Sequence, residues 1–197
     1  MQSPSDIDSL LRLADREVWI VTATAGGRRG GLAATSVAQA SIDRERPVIL
    51  AGLAPNHFTT GLVEEGQAFV AHLLAESQTD LAWNFAWDSG RERDKLAGLA
   101  TLERSAGCPV LADCLAWFDC RVFSRYDAGD RLFYWGDVVA AEQHGSGNPL
   151  REQAFIGSLT GEQRKVLAAQ RETDAQTQRP LAEAWRAICG NVGGNKV

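Results

Sequence analysis

One segment constrains the fold of this chain more than any other: residues 30–58, GGLAATSVAQASIDRERPVILAGLAPNHF. Its pattern predicts a strand of small and hydroxyl-bearing residues, a turn, an apolar strand and a second polar turn. The first strand is kept shallow by alanines, at Ala33, Ala34, Ala38 and Ala40. Because so little side-chain bulk stands beside the backbone, a flat ligand has room there, and hydroxyls, an amide and peptide N–H groups are available to an anion.

Length and composition restrict the class of protein. A chain of 197 residues, 45% hydrophobic and 23% charged, is able to bury the core of one ordinary domain. Its formal net charge of -5 argues against a nucleic-acid partner, which needs a basic surface. The longest apolar run, residues 48–54, is too short to cross a bilayer, and the beginning, MQSPSDIDSLL, lacks the basic and apolar regions of a signal peptide. We therefore expect a cytoplasmic protein that makes no membrane contact.

The strand and turn signals indicate a mainly β chain with helical additions. Gly26-Gly27 and the DAGD segment at 127–130 predict hairpin turns. The predicted strands cover residues 18–24, 31–41, 48–53, 68–74, 115–126 and 131–141. Since hairpins dominate the connections, we expect an antiparallel barrel rather than a parallel βαβ arrangement.

Helices are predicted between and after these strands, over residues 5–14, 59–65, 79–87 and 94–99. Thr160 and Gln163 have the spacing of a capping box that begins a polar helix, which Pro180 is expected to interrupt. Leu181, Trp185 and Ile188 then define a last amphipathic segment. We expect residues 1–160 to form the barrel domain and residues 161–197 to be a helical extension of the same domain.

The small-residue strand supplies the first candidate ligand groups. Thr35, Gln39 and Ser41 point to one face of a regular strand and Ser36 points to the other, so a bulge or a turn is needed if all of them contribute. They suit an anion such as a phosphate, because donors to a charged phosphate contribute about 1.5–3 kcal/mol each. The alternative interpretation is an ordinary strand whose small residues pack under a helix.

Several motifs follow one another in a defined order over residues 18–141. They include a helix–glycine–strand segment, TTGLVEEGQAFVAHLL. The positions concerned, in chain order, are Gly31, Thr35, Ser36, Val37, Ser41, Ile42, Asp43, Pro47, Gln78, Leu81, Ala82, Phe85, Asp94, Lys95, Leu96, residues 111–120, Gly129 and Asp130. Their order and spacing resemble the flavin reductase-like family, which binds FMN on a split β-barrel.

The resemblance implies a fold, an activity and a set of ligand residues. The fold is an antiparallel split β-barrel of the FMN-binding type, and the activity is NAD(P)H-dependent flavin reduction, with hydride transfer to flavin N5. FMN is the implied cofactor, FAD an alternative, and NAD(P)H the co-substrate. The partners implied are a second copy in a homodimer, with the flavin near the interface, and a monooxygenase that takes the reduced flavin. The implied cofactor-binding residues are Ala34, Thr35, Ser36, Val37, Gln39, Ala40, Ser41, Asn56, His57, Phe58 and Lys95.

Two departures from the family pattern keep a second hypothesis open. The family has a Ser-x-Thr turn where this chain has Asn56-His57-Phe58, and a histidine after Gly-Asp where this chain has Arg131. Asn56 and His57 can still donate hydrogen bonds, whereas the Phe58 side chain cannot. A flavin carrier or electron-transfer protein without nicotinamide turnover is therefore the alternative function. A split-barrel protein that binds haem or a pyridoxamine oxidase-type coenzyme is a weaker third.

Other sites receive no support from the sequence. A Rossmann Gly-x-Gly-x-x-Gly fingerprint after a strand and a Gly-x-Ser-x-Gly elbow are both missing from it. The cysteines form no Cys-x-x-Cys pair and the histidines have no ligand spacing, so no metal site is predicted. His72 is interpreted as a core residue, the charged run 91–95 as a solvated face, and the cysteines as buried thiols. No catalytic residue is assigned.

Overall fold

Strands form most of the framework, as the turn signals predict. The computed structural model describes residues 4–103 and 107–192. Its strands are β1 (Trp19–Ala25), β2 (Arg28–Ala34), β3 (Val37–Gln39), β4 (Val48–Leu53), β5 (Ala68–Leu73), β6 (Thr101–Glu103), β7 (Pro109–Leu111), β8 (Ala116–Asp127) and β9 (Leu132–Gln143). Its helices are α1 (Pro4–Leu11), α2 (Phe58–Gly66), α3 (Thr79–Ala86), α4 (Glu152–Ser158) and α5 (Gly161–Val192).

Chain connectivity makes the main sheet curl. Its seven strands follow the order β2-β1-β5-β8-β9-β4-β3, all antiparallel. The edges of a flat sheet of this size would lie about 29 Å apart, at about 4.8 Å per strand. The edge strands β2 and β3 are joined by Thr35 and Ser36 alone, and an extended link from Ala34 to Val37 covers at most about 11 Å. The sheet is therefore rolled into a half-barrel, and the predicted antiparallel barrel class is confirmed.

The predicted continuous strand over residues 31–41 is wrong in one respect. The strand stops after Ala34, because Ala34 pairs with Trp19 at one edge of the sheet while Val37 pairs with Ala51 at the other. The N–H of Gly52 in β4 donates to the Ser36 carbonyl (2.7 Å), so the bonds to β4 already begin at Ser36. The break at Thr35-Ser36 therefore provides the turn that is needed if polar residues from both faces of the segment are to serve one site. In a single regular strand these side chains would alternate between opposite faces.

The central strands β1 and β5 are buried on both faces. Val21 and Phe69 face the barrel interior, whereas Ile20 and Val70 face a second apolar layer outside it. α3, α4 and α5 cover that outer layer with Phe85, Phe155 and Leu167 respectively. Strands enclosed in this way need apolar residues at consecutive positions, as the β1 sequence WIVTATA shows.

His72 belongs to the outer layer and is fully buried, so its interpretation as a core residue is confirmed. Its Nδ1 donates to the Ile20 carbonyl (3.0 Å) and its Nε2 accepts from the Leu111 N–H (3.0 Å). Burial lowers the pKa of His72 to about 4, since desolvation disfavours the charged ring. Of the four cysteines, Cys108, Cys114 and Cys120 are buried as predicted, whereas Cys189 on α5 is exposed.

The predicted turns and the capping box are confirmed. Gly26 and Gly27 have φ of +55° and +74° and join β1 to β2, a conformation that glycine adopts without strain. The DAGD segment joins β8 to β9. Thr160 and Gln163 exchange two hydrogen bonds at the start of α5, of 2.9 and 3.2 Å.

Two helix predictions are wrong. α5 continues through Pro180 rather than ending there, because contacts hold it on both sides: Gln178 is buried before the proline, and Trp185 meets Tyr126 edge to face after it (6.3 Å between ring centroids). Residues 94–99 form single turns instead of a helix, where the Asp94 carboxylate accepts the Leu96 N–H. In the described ranges, every helix is too short or too polar to cross a membrane.

Candidate functional site

A cavity of about 690 Å³ lies beside the last residues of β2. The turn before α2, the segment after α3, and the helices α4 and α5 form its other walls. It is lined by residues 31–35, 56–59 and 85–92, Val18, Lys95, Glu152, Phe155, Val166, Leu167, Gln170, Arg171, Thr173 and Asp174. Its size falls in the range of about 300–1,000 Å³ typical of small-molecule sites.

The β2 wall is made by backbone and very small side chains. A Cβ on Gly31 would lie 2.5 Å from Cε1 of Phe85, a side chain that is 1% exposed. Only glycine therefore lets the Phe85 ring pack directly on β2, where it helps to form the bottom of the cavity. Ala34 and Thr35 follow at the end of the strand, so the wall stays shallow up to the break.

The turn wall carries the hydrogen-bond donors. Asn56 and His57 stand immediately before α2, whose first peptide N–H groups have no partner within the helix. The Arg91 guanidinium reinforces this turn, because its Nη1 donates to the Asn56 carbonyl (3.0 Å) and its Cζ lies 5.9 Å from the centroid of the Phe58 ring. Amide, imidazole and guanidinium donors thus meet at one end of the cavity, an arrangement that suits an anionic group.

α5 closes the same end of the cavity. Asp174 accepts a hydrogen bond from Asn56 Nδ2 (2.9 Å) at one carboxylate oxygen, and the other lies 3.3 Å from His57 Nε2. One turn further along α5, Gln178 donates to Asn56 Oδ1 (3.1 Å) and accepts from Arg131 Nη1 (2.6 Å). The two departures from the family pattern, at the turn and at Arg131, are therefore both contacts of α5.

Lys95 lines the cavity and is 5% exposed. Burial, together with the charge of Arg93, lowers the pKa of Lys95 to about 8, against a weaker opposing effect of Asp88. Its Nζ donates to the Phe85 carbonyl (3.0 Å). An ammonium carries three donors, so this bond leaves Lys95 able to donate to a ligand as well.

The structure brings part of the predicted site together. Ala34, Thr35, Asn56, His57, Phe58 and Lys95 all line the cavity. The other predicted residues lie along β3 and the turn after it. Val37 is buried in the barrel core, Ser36 and Ala40 make backbone bonds to β4, and Gln39 and Ser41 bond within their own segment.

The sequence interpretation missed several cavity residues. Arg91 was assigned to a solvated face, and α5 was given no part in the site. Gln170, Asp174 and Gln178 are spaced by four, so they share one face of the helix, and Gln170 accepts the Asp88 N–H at 3.3 Å. This spacing was visible in the sequence, but a polar stripe on a helix more often faces solvent.

Comparison with known proteins finds a match over the part of the chain that forms the curled sheet. The family model described as "Flavin reductase like domain" matches residues 11–153. The matched segment contains the whole curled sheet and the turn wall, whereas α5 lies beyond it.

Individual relatives share the same part of the chain. The reductase component of a 4-nitrophenol 4-monooxygenase/4-nitrocatechol 2-monooxygenase from Rhodococcus opacus is 35% identical over 133 residues, 68% of each chain. A high molecular weight rubredoxin from Moorella thermoacetica is 33% identical over 135 residues, 68% of this chain, which spans 58% of that relative's length. The crystal structure of a flavin reductase domain protein from Arthrobacter superposes with a TM-score of 0.66 at 20% identity, covering 75% of this chain and 89% of that one.

Proposed function

Because the chain belongs to the flavin reductase-like domain family, we propose that it is an NAD(P)H-dependent flavin reductase that binds FMN in the cavity beside β2. The observation that carries the proposal is that one cavity combines a flat wall with a cluster of hydrogen-bond donors. A flat, nearly side-chain-free wall runs along β2, and donors converge at the turn before α2. A phosphorylated flavin has the matching parts, since its ring is flat and its phosphate is an anion.

The residues present fit such a ligand. Asn56, His57 and Arg91 suit the phosphate, with Thr35 and Lys95 as further donors along the same cavity. About three charge-assisted bonds, at about 1.5–3 kcal/mol each, approach the roughly 8 kcal/mol that micromolar binding needs. Phe85 and the β2 backbone supply an apolar surface for a ring.

A bound flavin supplies the redox chemistry, which takes a hydride from a reduced nicotinamide. The chain's own residues hold and position the two ligands. The choice of FMN over FAD rests on α5, which closes the cavity at the turn through the contacts of Asp174 with Asn56 and His57.

We also propose two partners. A homodimer is supported by large apolar side chains exposed to solvent, among them Ile42 (98%), Phe123 (57%) and Val139 (45%), and light scattering after size exclusion tests it. A monooxygenase that consumes the reduced flavin is supported by the relative from Rhodococcus opacus, which is named as a reductase component. A cytoplasmic location agrees with the need for NAD(P)H and stays a prediction.

The experiment that tests the function is a visible spectrum of the full chain loaded with FMN, before and after NADH or NADPH is added without air. We expect the flavin absorbance near its long-wavelength maximum to bleach, and NADH or NADPH to be oxidised continuously once free FMN is in excess. Tight FMN binding without nicotinamide oxidation would instead indicate the carrier hypothesis. A protein that leaves FMN fluorescence unchanged would refute both.

A further inference from the structure

Asp174 occupies the donors of the turn wall. Its two carboxylate oxygens lie 2.9 Å from Asn56 Nδ2 and 3.3 Å from His57 Nε2. The His57 and Asp174 side chains are 34% and 28% exposed, so the contact is partly shielded from water. A carboxylate thus already accepts from the side chains that suit a phosphate.

A phosphate and Asp174 compete for these donors. The one N–H on His57 Nε2 points at a single acceptor, and one of the two N–H groups on Asn56 Nδ2 already bonds to Asp174. The two acceptors are both anions, so they also repel each other. A flavin without a phosphate meets neither conflict. Asp174 should therefore lower the affinity for a phosphorylated flavin and leave the affinity for an unphosphorylated flavin unchanged.

Asp174 is held in place by its own helix. On one side, Gln170 accepts the Asp88 N–H (3.3 Å), and on the other, Gln178 bonds to Asn56 and Arg131. Since α5 is anchored before and after Asp174, the carboxylate cannot leave the turn by movement of a loose chain end. A phosphate must therefore displace the Asp174 side chain from Asn56 and His57 while the helix stays in place.

We propose that Asp174 is a specificity-determining residue that competes with a flavin's phosphate for Asn56 and His57. It thereby lowers the affinity of the site for FMN relative to its affinity for riboflavin. The proposal rests on the proposed function, because it assumes that the cavity binds a flavin. It goes further by assigning a role to a helix outside the family-matched segment, residues 11–153.

The test is a pair of fluorescence titrations, with FMN and with riboflavin, on the full chain and on the Asp174→Asn variant. We expect the variant to bind FMN about tenfold more tightly, the equivalent of about 1.4 kcal/mol, and to bind riboflavin within about twofold of the unaltered protein. Glu172→Gln is the matched control, since it removes the same charge from the same helix at an exposed residue, whose carboxylate accepts from Gln176 one turn along α5 (3.0 Å). Both flavins should bind this control unchanged.

Two further variants keep the test decisive. Asp174→Ser is a second neutral variant should the asparagine disturb folding, and Asp174→Glu retains the charge and should retain the original ratio of FMN to riboflavin affinity. An unchanged ratio in both neutral variants would overturn the competition while leaving flavin binding intact. An equal gain in Glu172→Gln would also overturn it, as a general charge effect. If neither flavin binds the unaltered protein or any variant, the proposed function is refuted together with this inference.

Discussion

Two walls of the same cavity are built in different ways. The β2 wall is fixed by a full ladder of backbone pairs with β1, from Trp19 with Ala34 to Ala25 with Arg28, and it presents almost no side chains. The α5 wall is held by side-chain bonds from Gln170, Arg171, Asp174 and Gln178, together with a partly buried apolar contact at Leu167. A ladder tolerates changes of side chain, whereas a helix docked by a few polar bonds depends on each of them. The strand wall thus lies inside the family-matched segment, residues 11–153, and the helix wall lies outside it.

The largest expected effect is that of acid on the sheet that carries the β2 wall, and it acts through His72 on β5. Burial lowers the pKa of His72 from 6.5 to about 4, so the ring stays neutral in the fold while the unfolded chain takes up a proton. The free energy of unfolding is unaffected by this proton above pH 6.5 and decreases as the pH falls towards 4. The decrease amounts to about 3 kcal/mol, at about 1.4 kcal/mol per pH unit. Urea unfolding at pH 7, 5.5 and 4.5 measures it.

The control for this prediction is His72→Gln, which removes the titrating ring. Its stability should be lower at pH 7 and should depend less on pH across the same interval. Parallel profiles for the two proteins would show that the pH dependence arises from other groups.

The strand wall is expected to respond to a single methyl group. In Gly31→Ala the new Cβ meets the buried Phe85 ring at 2.5 Å, so the free energy of unfolding should fall by about 1–3 kcal/mol through overpacking. Gly61→Ala is the matched control, because nothing lies within 4 Å of its added Cβ in α2 and alanine favours helix by up to about 1 kcal/mol. Denaturant unfolding compares the two, and equal effects would contradict the tight packing on β2.

The helix wall is expected to loosen when one amide is removed. Gln178 is 8% exposed and bonds to both Arg131 and Asn56, so Gln178→Ala should cost about 1–2 kcal/mol. Gln176→Ala removes an exposed amide that bonds along the same helix to Glu172, and should cost no more than about 0.5 kcal/mol. Limited proteolysis of α5, with unfolding measured in parallel, checks the difference. Equal protease resistance in the two variants would mean that α5 is held by its apolar contacts instead.

The features that could be predicted are those encoded by neighbours in the chain. The Gly26-Gly27 turn, the DAGD hairpin and the Thr160–Gln163 capping box each depend on a few consecutive residues, and each is confirmed. The break at Thr35-Ser36 could not be placed, because the segments on its two sides both have the composition of a strand. Only their pairing with opposite edges of the sheet separates them.

The residues of the candidate site also fall into those that the local sequence could predict and those that it could not. The shallow wall at Ala34 and the donors at Asn56 and His57 were visible because small and polar residues stand together in the sequence. Asp174 and Gln178 lie more than a hundred residues further on. Nothing in their local pattern distinguishes a helix face that meets a cavity from one that meets water.

The sequence by itself determined an antiparallel β framework, its turns and a segment too small in side chains to fill the space beside it, because steric and turn preferences act over a few bonds. The tertiary structure alone decided that α5 runs through Pro180 and brings Asp174 to Asn56 and His57. That outcome depends on packing and hydrogen bonds between residues far apart in the chain. Local conformational preferences do not determine which of these distant residues come into contact.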